Sequence, residues 1–383
     1  MPFHSESRKL ECEVSLIICM ENASPGLVQL LQSFPMISLA TSAQGRELAV
    51  FMEEHSMSTG ALEVTFTRGS DYFGLLAVQG EHSITMCIRG PENALLAVGS
   101  LSTRSSFIRG KPVVVGYLQD LRVSKTVSAS LRQKYYEFFT EFIRLSPSLP
   151  DLDHCKYFYT AILSNNAPAK AALSRERFTL EYSKLFSYEA WIFPKIPGLG
   201  LLASFQSIDV PSKEEVFAFY HAELGSSMYD LDPKDIEHLW EYSKPICLRE
   251  NGIGIAFCLL VDINRLREMK VLFKKMNLNL SLTSTQVFAL RVAKKVSHKR
   301  KSEVKSALLK QAILKSYSLN SHLLGYMQVE NDIEVSSHLL FKTKVVTRGD
   351  IYRVFHPDHT SLEGFVDGFL RPAHTATFEW VMS

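Results

Sequence analysis

The stretch best equipped for chemistry is Gly116-Tyr117-Leu118-Gln119-Asp120-Leu121-Arg122-Val123, together with the turn that follows it. The run reads as a strand. A helix is expected over about 130–145, with Leu131, Tyr135, Phe138, Phe139, Phe142 and Ile143 on one apolar stripe. Where a strand gives way to a helix, free backbone N–H groups and the positive end of the helix dipole attract phosphate. Here the turn carries Ser128, Ala129, Ser130, Leu131 and Arg132, with no glycine. Glycine allows the closest approach of backbone to phosphate, and Ser and Ala are the next smallest choices. Arg132 and Lys134 stand at the helix start, where the dipole favours acids. An anion between them would remove that conflict, and a solvated basic face is the competing reading.

Other constellations are poorer. His356 and His359 are close in sequence but lie in an expected turn with no third ligand, so no metal is expected. Gly252-Ile253-Gly254 opens a strand instead of a helix and is no dinucleotide signal. Cys12, Cys19, Cys87, Cys155, Cys247 and Cys258 are scattered singly, which suits a reducing cytoplasm better than a zinc site or disulfide framework. Residues 294–305 form a basic run without interleaved aromatics, so nucleic acid is not the expected partner.

The elements that must position these residues follow from length and repetition. A chain of 383 residues, 46% hydrophobic and 21% charged with a net charge of +2, is ordinary globular composition and long enough for two cores. The first residues lack a signal-peptide pattern, and no apolar run is long enough for a membrane helix. The most apolar stretch, 253–261, suits a buried strand. In the first half the order is strand 116–123, helix, strand 157–163, Asn165-Asn166, a short helix to Leu173, then strands 178–182 and 188–193 and Pro194. The second half repeats it. Strand 287–292 and a helix through Val304, Ala307, Leu308 and Ala312 lead to strand 323–328, then Glu330-Asn331 and a short helix to about Leu340. Strands 344–347 and 351–355 and Pro357 close it. Three landmarks recur at an offset of about 165 positions, as a duplication predicts. Two unrelated α/β halves would share only the generic order. The boundary is expected near 194–212, where Pro194, Pro197, Gly198, Gly200 and Pro211 crowd, giving domains 1–200 and 201–383. Residues 1–37 have no counterpart in the second half; they are either an extra arm or part of the first sheet.

Residues 68–194 resemble a GNAT N-acetyltransferase. The resemblance rests on Arg68-Gly69-Ser70-Asp71-Tyr72-Phe73, a hairpin over 82–89 and 95–102, Phe107-Ile108-Arg109-Gly110-Lys111-Pro112, and the Gly116–Val123 motif. For the second half it rests on the repeat. The resemblance implies an α/β (α+β) fold of two tandem GNAT-like domains, each a mixed, mostly antiparallel twisted sheet flanked by helices. It also implies an acyl-CoA-dependent N-acyltransferase acting on an amine acceptor, with acetyl-CoA or another acyl-CoA in a cleft between two splayed strands. Leu121, Arg122 and Val123 would pair with the pantetheine arm, Ser128, Ala129, Ser130, Leu131 and Arg132 would cradle the pyrophosphate, and Asn165 and Asn166 would contact the cofactor arm.

For catalysis the resemblance implies an oxyanion donor on the backbone of residues 120–123, with Asp120 as base or water holder, and Tyr117 and Asn165 beside it. Each has a plain alternative. Asp120 alternates with Leu118 and Leu121 as a surface acid, Tyr117 packs, and Asn165 and Asn166 shape a turn. The tyrosine that often protonates the departing thiolate falls at Leu173 or Ser174 and is missing here. A thiol has a pKa near ~8.5, so its thiolate leaves without strong acid help. Two other functions stay open: a non-catalytic CoA- or partner-binding protein, and an aminoacyl- or fatty-acyl-transferring relative.

Overall fold

The computed structural model describes residues 16–55, 57–59, 62–68, 72–108, 111–164, 166–173, 179–195, 209–223, 233–266, 268–273, 278–319, 321–330, 335 and 344–359. The first half runs β1 (Leu16–Ile18), α1 (Pro25–Ser33), β2 (Ile37–Leu39), α2 (Gly45–Glu54), β3 (Met57–Thr59), β4 (Leu62–Thr67) and α3 (Tyr72–Gln79). It continues with β5 (His82–Arg89), β6 (Leu95–Ile108), β7 (Lys111–Val123), α4 (Ala129–Leu145), β8 (Tyr157–Leu163), α5 (Ala167–Leu173) and β9 (Glu181–Pro194). The second half runs α6 (Lys213–Glu223), α7 (Pro233–Trp240), β10 (Ser243–Glu250), β11 (Ile253–Asp262), β12 (Glu268–Phe273), β13 (Leu278–Leu282) and β14 (Ser284–Val292). It ends with α8 (His298–Ser318), β15 (Leu323–Val329) and β16 (Val345–Phe355). No helix among the described residues is long and apolar enough to cross a membrane.

Local sequence explains the elements around the cleft. Ser128 caps α4, its Oγ accepting from the Leu131 N–H at 3.2 Å. Tyr135, Phe138, Phe142 and Ile143 then bury one stripe of that helix against Leu101, Leu118 and Phe158. The apolar run of β11 is buried, as its length predicts. Residues 16–39 belong to the first sheet, because β1 and β2 both pair with β5. Residues 1–15 and the short helix expected before Leu340 lie outside the described residues.

Each half supplies a mixed, mostly antiparallel set of strands with helices on its faces, and the two sets merge. One twelve-stranded sheet runs β1-β5-β6-β7-β8-β16-β9-β15-β14-β11-β10, with β2 beside β5; β12 and β13 of the second half form a four-stranded sheet with β4 and β3 of the first. The halves exchange their closing strands. β16, the last strand of the second half, pairs with β8 of the first, and β9, the last of the first, pairs with β15 of the second. At the centre β9 and β16 pair with each other. The edge that each half would otherwise leave open at the seam is therefore filled by a strand from the opposite half.

Each closing segment was expected as two strands and is one. The breaks were placed at the polar stretches Ser183-Lys184 with Ser187 and Arg348-Gly349-Asp350. In the sheet these meet: Gly349 lies opposite Tyr188 and Asp350 opposite Ser187. Asp350 accepts from Ser187 Oγ at 2.9 Å and from Lys170 Nζ at 2.7 Å, and pairs with Lys184 Nζ at 2.8 Å. Polar residues that satisfy one another inside a sheet do not end a strand.

Candidate functional site

β7 and β8 run parallel and pair only from Val115–Tyr157 to Leu118–Thr160. Beyond that both strands continue, to Val123 and Leu163, without pairing, so the sheet opens into a V. The floor of the V is tied by Thr160, whose Oγ1 donates to the Leu118 carbonyl at 2.9 Å. One side of β7 bulges at the same height. Val98 faces Arg122 and Ser100 faces Gln119, so Gly99 spans an extra residue, and Asp120 adopts φ +58°. Asp is among the residues that tolerate this conformation.

A cavity of about 160 Å³ fills the V. On the α4 side it is lined by Leu118, Leu121, Tyr135, Tyr136 and Phe139; on the α3 side by Gln119, Asp120 and Arg122. It also touches Asn166, Tyr117, Tyr182 and Tyr188. The gap thus reaches both faces of the sheet. A smaller cavity of about 70 Å³ shares Leu121, Tyr135 and Tyr136 and extends along Val123 and Val127 to Arg132 at the start of α4. There Ser128, Ala129 and Ser130 are exposed. Among the described residues, none accepts a hydrogen bond from the N–H of Ala129 or Ser130.

The molecule superposes on solved structures. Saccharomyces cerevisiae N-myristoyltransferase with bound myristoyl-CoA matches at TM-score 0.54 and 11% identity, covering 88% of this chain and 82% of that one. A second structure of the same yeast protein with bound myristoyl-CoA gives TM-score 0.55 at 10% identity over 84% and 83% of the two chains. No protein-family model matches the chain, and no curated protein matches it by sequence. With strands parted as described, these likenesses decide the architecture. The chain has a tandem GNAT fold.

Within the GNAT fold, the residues expected at the site fall into three groups. Leu121, Arg122, Tyr117, Asp120 and Asn166 line the main cavity, and Val123 and Arg132 line its extension. Ser128, Ala129, Ser130 and Leu131 form the helix start, with Ser128 Oγ spent on the cap. Asn165 lies outside the described residues. Asn166 lines the cavity while its Oδ1 accepts from the Ala169 N–H at 3.2 Å, as an N-cap.

Asp120 is not a surface acid. The bulge turns its side chain inward to 0% exposure and leaves Leu121 47% exposed, the reverse of simple alternation. Arg68 Nη2 reaches both carboxylate oxygens at 2.5 and 2.6 Å, and Tyr72 Oη donates to Oδ2 at 3.0 Å. Tyr72 also shares a hydrogen bond with Ser100 Oγ at 2.7 Å. A carboxylate so held can fix the bulge and orient its backbone.

Tyrosines supply most other polar groups of the cavity. Burial pushes the hydroxyls of Tyr135, Tyr182 and Tyr188 well above their ordinary pKa, so they stay neutral and keep a proton to donate in a hydrogen bond. Tyr188 Oη is buried without a partner. Sequence reasoning missed Tyr135, Tyr136, Tyr182 and Tyr188 as site residues. Tyr135 belongs to the expected core stripe, Tyr136 lies beside it, and the last two reach the site only through the strand exchange.

The second half repeats the design and closes it. β14 and β15 pair in parallel only over Ser284–Leu323 to Gln286–Gly325 and then part. β14 bulges at Ala289, φ +51°, where Tyr220 Oη of α6 donates to the Ala289 carbonyl. The V is then occupied by the protein itself. Lys305 of α8, at the place Tyr136 takes in α4, is 1% exposed and donates to Gln328 Oε1 at 3.1 Å. Its ammonium also lies 5.8 Å from the Tyr326 ring centroid. At the start of α8, Arg300 is paired within the chain, with Glu250 at 2.9 Å.

The rings of His356 and His359 lie 6.0 Å apart, and each has a different partner. His356 Nδ1 accepts from the Asp358 N–H at 3.2 Å, and His359 Nε2 lies 3.0 Å from the Arg144 carbonyl. Among the described residues, no group of three or more potential metal ligands comes together.

Proposed function

We propose that the protein is an acyl-CoA-dependent N-acyltransferase that works in the first-half V, with acetyl-CoA or a similarly short acyl-CoA as donor. One observation carries this reading: a cavity that passes between β7 and β8 and is open to both faces, beside a helix start with unpaired N–H groups. The donor enters from the α4 side, with its diphosphate at Ser128–Arg132 and its pantetheine arm along the unpaired edge of Leu121, Arg122 and Val123. The amine arrives from the α3 side. The reaction forms a C–N bond, breaks the thioester C–S bond, and passes the amine proton to water or to the thiolate.

A backbone N–H at the 120–122 bulge holds the oxyanion, and the Arg68–Asp120–Tyr72 cluster keeps that bulge in shape. Tyr188 donates to the departing sulfur in place of the missing tyrosine at 173–174. Asn166 shapes the far wall. Tyr117 stacks on Tyr159, centroids 5.0 Å apart, and closes the space beneath the floor. A cavity near 160 Å³ is about the size that holds one benzene ring. That suits a short acyl group better than the myristoyl chain named for the yeast structures. Residues 1–200 and 201–383 are then a working and a supporting unit, in the cytoplasm.

A non-catalytic CoA- or partner-binding protein is the second reading. It is favoured by the engagement of Asp120, the one carboxylate on the described cavity wall, with Arg68. Thioester cleavage measured across a panel of amines separates the two. Acetyl-CoA raising the melting temperature with no thioester loss on any amine favours the binding protein; no rise with any acyl-CoA removes both readings.

A further inference from the structure

The described wall of the main cavity carries two charged side chains, Asp120 and Arg122. They are not each other's partners. Asp120 is neutralised from behind by Arg68, which reaches both of its oxygens. Arg122 is therefore a surplus cation. Among the described residues its one hydrogen bond runs from Nη1 to the carbonyl of its neighbour Leu121 at 3.0 Å, and its Nε is buried with no partner among them. Burial lowers its proton affinity, and the nearby Arg68 lowers it further against the pull of Asp120. A guanidinium drawn out of water without an anion is costly, and a carboxylate that arrives with a ligand removes that cost.

A second unmet group points to the other end of such a ligand. Gln119 donates from Nε2 to Gln79 Oε1 at 2.5 Å and to Ser102 Oγ at 3.1 Å, which fixes its amide and leaves Oε1 buried without a partner. An unpartnered acceptor and an unpartnered cationic donor thus line one cavity. Both are on the α3 side: Gln119 through its bond to α3, and Arg122 through its register opposite Val98, which packs with Tyr72 and Phe73. Opposite sign requirements within one cavity call for a ligand with an N–H group at one end and an anion at the other.

We propose that the acceptor is an amine of the amino-acid class, its carboxylate taken by Arg122 and its amine held by Gln119 Oε1. This rests on the acyltransferase reading for what happens next, but not for binding. The amine is held on the α3 side while the thioester comes from the α4 side, so the two meet across the gap. An amine without a carboxylate leaves Arg122 unneutralised and binds weakly. A carboxylate without an amine leaves Gln119 unmet.

The test is calorimetric binding to the full chain, run both without CoA and with CoA added. The probes are the α-amino acids, their carboxamides, and the longer β-alanine and γ-aminobutyrate. At least one free amino acid should bind about tenfold or more tightly than its carboxamide, because the lost contact is charge-assisted. The α-, β- and γ-spacings report how far apart the two groups sit. Arg122→Gln should reduce the ratio to about twofold or less, and Arg122→Lys, which keeps charge but loses the fork, should fall between. Urea midpoints at or above the wild-type value show that both variants fold, and Arg122→Gln, which removes the unneutralised charge, should lie above it. Carboxamides that bind as well as their acids throughout, or a preference that survives Arg122→Gln, overturn the proposal. A carboxylate preference that depends on Arg122, with no acyl-CoA binding or thioester cleavage, overturns the acyltransferase reading alone.

Discussion

Asp120 and Ala289 occupy the same place in the two halves. Each has positive φ, 58° and 51°, at the bulge of the strand that parts from its parallel neighbour. A tyrosine from a helix on the sheet holds each one. Tyr72 donates to the Asp120 carboxylate, and Tyr220 donates to the Ala289 carbonyl. The first half adds Arg68 and so buries an ion pair where the second uses backbone alone.

That difference predicts a stability effect. Asp120→Asn leaves the Arg68 guanidinium, 2% exposed, without a counter-charge. The expected loss is about 3–5 kcal/mol by urea denaturation. Combining it with Arg68→Met removes the uncompensated charge and should recover part of that loss, with the buried Asn amide accounting for the rest.

Gly99 is open space only for glycine. A Cβ there meets Tyr135 Oη at 2.4 Å, while the next ring atom is 3.8 Å away. Gly99→Ala should therefore push the Tyr135 ring into the cavity and weaken the thermal shift produced by acetyl-CoA. Adding Tyr135→Phe removes the clashing oxygen and should restore much of the shift. A double variant no better than Gly99→Ala would show that the ring does not move in this way.

Ser130→Asp makes two opposite predictions. A carboxylate in the first turn of α4 favours the helix by about 0.3–1 kcal/mol, so the free protein should be slightly more stable. The same charge repels a diphosphate, so acetyl-CoA should give less stabilisation than in the wild type. If both quantities move together, the diphosphate does not rest at this turn.

The centre of the sheet gives a pH prediction. Burial raises the Asp350 pKa, but hydrogen bonds from Lys170, Lys184 and Ser187 outweigh it and bring it to about 2. A carboxyl held below its unfolded value stabilises the fold above that value and loses the effect as pH falls through the folded one. With an unfolded reference near ~3.9, the contribution is about 2 kcal/mol at neutral pH. The stability gap between wild type and Asp350→Asn should be widest near pH 7 and close as pH drops from about 4 to 2.

Much of this was legible in the chain. The Gly116–Val123 strand, the helix after it, strand 157–163 and the second copy's order follow from apolar period and turn residues, all of which are local. The surface-acid alternative for Asp120 fails because a bulge breaks the alternation on which surface and core are told apart, and nothing local marks it. Tyr182 and Tyr188 were invisible as site residues because their position depends on which half their strand joins. The closing strands looked broken at Lys184 and Asp350, because the residues that satisfy these charges are remote in sequence. The plug at Lys305 also escaped notice, since a lysine in a basic run reads as solvated.

The exchange of closing strands sets a schedule for synthesis. On a ribosome, β8 emerges with one flank bare and stays so until β16, about 180 residues later, has left the exit tunnel. At roughly 5–20 residues per second that is a wait on the order of ten to forty seconds. During it, the nascent first half exposes an unpaired flank of the kind that chaperones bind and aggregates recruit. A stop codon anywhere before β16 would leave the working half permanently unfinished, so late truncations should damage a site built almost entirely from early residues.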